Sequence, residues 1–150
     1  MRWFNILTSR YLMIRYLIMK IAIWILSGVL ALAFVGAGGM KLATDRDALL
    51  QNPQMGWAND FSATSIKLIG AAEVAGGVGL ILPVAIGVAP VLTPVAAGAL
   101  AVLMAGAGVT HLNRSEPAAV PFVLAALSLV VLAGRVMLRR RGGTLQSAKA

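Results

Sequence analysis

Four long apolar runs organise the chain: Ile21–Gly39, Phe61–Leu82, and stretches of about 91–110 and 118–138. Each approaches the ~20 helical residues needed to cross a hydrocarbon core of ~30 Å. A backbone surrounded by lipid must satisfy its own N–H and C=O groups, so the pattern predicts an all-α fold, a bundle of four transmembrane helices. Polar connections separate the runs. Lys41–Asp60 is the only sizeable polar loop, and Gln54-Met55-Gly56-Trp57 within it predicts a turn or short helix, with Trp57 as an interfacial anchor. Asp60 or Ser62 can cap the second helix. Pro83 and Pro90 bracket an uncharged loop, Thr93-Pro94 reads as an N-cap followed by proline, and His111 to Pro117 makes a short polar turn.

The ends differ from the middle. Residues 1–19 read as a basic amphipathic lead-in, with Arg2, Arg10 and Arg15 among aromatic and aliphatic residues. Met13 or Met19 would serve equally well as a translation start. Residues 20–138 form the membrane domain, and residues 139–150 read as a flexible basic tail. The first apolar run is long for a secretory signal, so it is read as a retained helix.

Composition narrows the class. At 59% hydrophobic and 12% charged, the chain lacks the polar skin of a soluble domain. Its net charge of +8 is concentrated at the two ends. Nine Lys and Arg residues flank the termini, against three (Lys41, Arg46, Arg114) in the loops at the other side. That bias predicts both termini in the cytoplasm, and a multi-pass protein of the cell membrane in contact with anionic lipid. No basic stripe interleaved with aromatics argues for nucleic acid. Without cysteine the chain makes no disulfide or thiolate site, and one histidine with one deep glutamate is a poor set for a metal ion.

The second run carries the candidate chemistry. Counted from Ser62, Glu73 lies roughly 16 Å along its helix, about halfway through a bilayer core. A carboxylate at that depth is costly unless neutralised or paired, and it marks a candidate site. Helical phase places Gly70, Glu73, Gly76 and Gly77 on one face, a packed face on this reading, because small residues let helices approach in lipid. Gly106 on the third helix is assigned the same packing role. Lys67 is out of phase with Glu73, so it either snorkels to the interface or pairs elsewhere. Partners for Glu73 would come from Lys41, Met104, Thr110, His111 or Ser128, and their scarcity favours a protonated glutamate or one paired through ligand or water. His111 either caps a helix C-terminus or faces a ligand.

GMKL at 39–42, MGWANDFS at 55–62, IKLIGAAEVAGGVGLILP at 66–83, PVLTPVAA at 90–97 and MAGAGVTHLNRSE at 104–116 together resemble the DoxX-like family of small four-helix membrane proteins. The resemblance covers about residues 20–135 and implies four membrane helices. Named members are associated with a small subunit of a thiosulfate–quinone oxidoreductase and with membrane oxidoreductase complexes, while distant relatives assist assembly or cargo. Two functions follow as expectations. One is an accessory subunit binding a quinone-like or other lipophilic ligand in an outward-facing cavity, with Glu73, Lys67, His111 and Lys41 as ligand or proton-relay residues. The other is a non-enzymatic scaffold or assembly factor for a partner protein. A transporter role would require a homo-oligomer. The side chains hold no electron carrier, so redox chemistry would need a quinone or a partner oxidoreductase, and catalysis by the chain alone is not expected.

Overall fold

A computed structural model describes the backbone of residues 2–147 and the side chains of residues 10–141. Its elements are α1 (Arg2–Ala43), α2 (Arg46–Leu50), a 3-10 segment (Pro53–Asp60), α3 (Ala63–Ala85), α4 (Leu92–Asn113) and α5 (Ala119–Ser147). Four of these helices are long and apolar enough to cross a membrane, and no strand occurs among the described residues. Leu32, Leu68, Val102 and Val120 point outward, each more than 65% exposed, as lipid-facing side chains do. The chain is a multi-pass integral membrane protein.

α1 runs unbroken from Arg2 through the basic lead-in, because no proline or glycine interrupts the chain before Gly28. From Arg10 to Lys20 its side chains are exposed or half-buried on every side. At the other end α5 continues beyond Leu138 to Ser147; residues 148–150 of the basic tail lie outside the described residues.

Helix caps follow local chemistry with one exception. Ser62 Oγ accepts from Ser65 N at 3.1 Å and opens α3. Pro83, expected to begin a loop, sits in the last turn of α3, where its missing N–H costs only one bond before the helix ends at Ala85. Thr93 is the exception. It lies inside the first turn of α4, fully buried with Oγ1 unpartnered, and Val91 occupies the cap position without a side-chain bond.

The helices form a four-membered ring in which α1 and α4 each neighbour both α3 and α5. Leu30, Phe34, Leu80, Leu100, Met104 and Val131 fill its centre. Glycine sets the α1–α3 contact: a Cβ at Gly70 would lie 2.8 Å from the Gly38 carbonyl oxygen and 2.9 Å from Lys41 Cβ. Gly77 meets Val35 and the Ala31 carbonyl in the same seam, whereas Gly76 turns to Leu100 of α4. The predicted glycine face is therefore divided between two neighbours.

Both polar loops lie at one end of the bundle. Arg114 Nη1 donates to Asp60 Oδ1 at 2.8 Å, and Gly56 packs against Arg114 and Glu116. Arg46 holds the longer loop by donating to the carbonyls of Phe61 and Asn59. Beneath this cover, Leu49, Ala58 and Ile66 form a small second core with Met55, Trp57 and Phe61 around it. Both terminal regions and the 86–91 turn occupy the opposite end.

Candidate functional site

Lys41 stands in the last turn of α1, and Glu73 one turn past Gly70 on α3. Because the two backbones touch at Gly38 and Gly70, these side chains meet directly. Lys41 Nζ donates to Glu73 Oε1 at 3.0 Å and Oε2 at 2.7 Å, with 11% and 4% of the two side chains exposed. The partner that the deep carboxylate requires is thus supplied by the protein itself. It is not a ligand, and it is none of the α4 or α5 candidates.

Lys67, about one turn into α3, donates to the carbonyls of Leu42 at 2.6 Å and Thr44 at 2.9 Å. The start of α3 therefore overhangs the end of α1, and the loop core covers it. Glu73 lies six residues beyond Lys67, roughly 9 Å.

Next to the ion pair is a cavity of about 620 Å³ bounded by α1, α3, α4 and α5. Phe34, Ala37, Met104 and Leu124 supply apolar wall, and Trp57, Phe61 and Met55 from the polar loop close over it. Trp57 packs edge-on against Phe61, with ring centroids 6.1 Å apart, and its face lies 5.6 Å from Lys41 Nζ. That contact draws the lysine charge toward the ring quadrupole while both oxygens of Glu73 remain bonded to Nζ. Val102 and Val120, 75% and 69% exposed, form part of the lining, so the cavity opens sideways toward lipid.

His111 and Thr110 line the cavity at its polar-loop end. Thr110 Oγ1 donates back to the Gly106 carbonyl at 3.1 Å. His111 Nδ1 lies 2.8 Å from Glu116 Oε2, and Arg114 Nε donates to Glu116 Oε1 at 2.7 Å. A carboxylate only accepts, so Nδ1 is the donor of this contact. The Arg114 hydrogen bond holds the Glu116 carboxyl below its ordinary value; burial opposes this, and His111 assists.

Of the four ligand-facing candidates, the structure brings together Lys41, Glu73 and His111. It sets Lys67 apart, on the far side of the α1 terminus. Gly106, assigned to helix packing, instead lines the cavity, and a Cβ there would meet nothing within 4 Å. The aromatic roof escaped sequence reading. Its one signal was the Trp57–Phe61 spacing inside an otherwise polar loop.

Chemically, the site is an apolar chamber with one neutralised charge pair in its wall and a histidine at one end. It fits a lipophilic molecule with a polar head. At this volume it falls within the ~300–1,000 Å³ usual for small-molecule sites.

No curated protein and no solved structure matches the chain. The sequence model of the DoxX-like family matches residues 25–133, from the middle of α1 to the middle of α5 and across the whole site. The chain belongs to the DoxX-like family.

Proposed function

We infer that this protein binds a quinone-like lipophile in the cavity between its helices, as an accessory subunit of a membrane oxidoreductase system. The observation that carries the reading is the placement of the Lys41–Glu73 pair in the wall of an apolar chamber that opens toward lipid. A ring carbonyl can accept from Lys41 or from a protonated His111, while an isoprenoid-type tail leaves between Val102 and Val120. The ion pair gives the head group a donor without leaving a net charge in the bundle. Electrons come from a partner, since the side chains carry none.

Gly106→Leu tests this reading, because it fills the chamber at a position with open space around it. Wild-type protein extracted mildly from membrane is expected to carry a quinone-like lipid by mass spectrometry, and Gly106→Leu to lose it while keeping its thermal midpoint. Glu73→Gln is expected to retain less than wild type. Equal quinone content in all three proteins would overturn the reading. A stoichiometric partner protein recovered with an empty chamber would favour the scaffold role instead.

A further inference from the structure

At the end of the bundle opposite the ion pair, a second pocket of about 180 Å³ lies between α1, α5 and the 86–91 turn. Arg135 of α5 forms its inner wall, only 5% exposed. One of its N–H groups, on Nη2, donates to Ser27 Oγ at 3.1 Å, and its guanidinium lies 4.6 Å from the centroid of Trp24. Its Nε is buried without a hydrogen-bond partner. Ser27 is itself committed, since it donates to the Ile23 carbonyl at 2.7 Å.

A buried cation normally has a counter-ion, because a hydroxyl and a ring face do not replace the water that a guanidinium loses. No acidic side chain of the chain can provide one. Asp45, Asp47, Asp60 and Glu116 belong to the loops at the other end, and Glu73 is held by Lys41. Val84, Pro90 and Leu138 give the pocket apolar walls, while Lys20 and Arg139 stand exposed at its rim beside Tyr16. Arg135 is 16 residues along α5 from Ala119, roughly 24 Å, which puts it just inside the far edge of a ~30 Å hydrocarbon core. Headgroup phosphates lie immediately beyond that edge.

We propose that the Arg135–Lys20–Arg139 pocket binds the phosphate of a net-anionic headgroup, with the planar guanidinium as its inner contact and Trp24 as its floor. The fork of N–H groups on Arg135 matches phosphate oxygens, and the two rim cations add charge without fixed geometry. Such basic pockets between membrane helices are suited to acidic phospholipids. Inorganic phosphate presents the same chemistry, so the test separates the two sources.

The full chain is delipidated in mild detergent and titrated with phosphatidylglycerol, phosphatidylcholine or inorganic phosphate, and bound species are counted by native mass spectrometry. Phosphatidylglycerol is expected to bind in preference to phosphatidylcholine. The preference should fall about fivefold for each of Lys20→Gln and Arg139→Gln, which are exposed and leave packing intact. Arg135→Gln should abolish it, and Arg135→Lys, which keeps the charge without the fork, should restore it in part. Phosphate binding with no lipid binding, sensitive to the same substitutions, would keep the site and assign it to the free anion. Equal retention of both lipids without phosphate binding, or a preference indifferent to Lys20 and Arg139, would overturn the proposal. So would a partner protein recovered in place of any phosphate species.

Discussion

Lys41 Nζ bonds both carboxylate oxygens of Glu73, at 2.7 and 3.0 Å, joining the end of α1 to the middle of the site-bearing face of α3. The approach is short because Gly38 and Gly70 bring the two backbones into contact just beside it. Packing and electrostatics are thus one feature: the glycine seam sets the distance, and the ion pair uses it.

Breaking that pair from one side should be costly. Glu73→Gln leaves Lys41 buried without an anion and is expected to destabilise the bundle by about 3–5 kcal/mol. Lys41→Met should cost a similar amount. The double variant should be more stable than the sum of the two losses predicts, since neither charge is then left alone. Unfolding midpoints in detergent would check the cycle; additive losses would show that the residues act independently.

Two glycines of similar appearance should respond oppositely to alanine. Gly70→Ala forces a methyl against the Gly38 carbonyl and Lys41, and about 1–3 kcal/mol of destabilisation is expected. Gly106→Ala enters open space and should be neutral or stabilising by about 0.5–1 kcal/mol, through helix propensity alone. Thermal midpoints of the purified proteins would show the contrast.

Lys67 should matter to the helix terminus and not to the ligand. Its Nζ satisfies two carbonyls at the end of α1. Lys67→Met is expected to cost about 1 kcal/mol. Retention of any cavity ligand, measured by mass spectrometry, should stay at the wild-type level.

The clamp between the polar loops should loosen in acid. Glu116 has a folded pKa below its ordinary value of 4.5, chiefly through its hydrogen bond to Arg114. The stabilisation is therefore complete above that ordinary value and is lost as pH falls through the lower, folded one. Protection of residues 53–61 against hydrogen exchange, taken relative to the intrinsic rate at each pH, should fall in that acid range, and Glu116→Gln should show reduced protection already at neutral pH. Salt should weaken the clamp further, because these charges face water.

The sequence by itself determined the class and the number of spans. Runs of about twenty apolar residues in a chain with few charges admit one kind of backbone solution, since lipid forbids unpaired N–H and C=O groups. Ser62 as a cap was legible for the same reason, because a hydroxyl just before an apolar run meets the free N–H groups of a helix start. Glu73 also stood out, being an acid within an apolar run.

Tertiary structure decided what surrounds these residues. Lys41 follows Glu73's run in no helical register; the two meet because α1 and α3 pack antiparallel with α3 offset past the end of its neighbour. That offset also assigns Lys67 to the α1 carbonyls, a role that helical phase within α3 cannot express. Gly70 and Gly106 are identical in sequence terms, yet one meets a backbone and the other meets a cavity, because neighbouring helices define both the seam and the void. Arg135 shows the same division most plainly. Its position near the end of an apolar run is visible in one dimension, but its burial against Ser27 and Trp24, with the Asp and Glu side chains at the other end of the bundle or paired with Lys41, exists only once α1 and α5 are side by side.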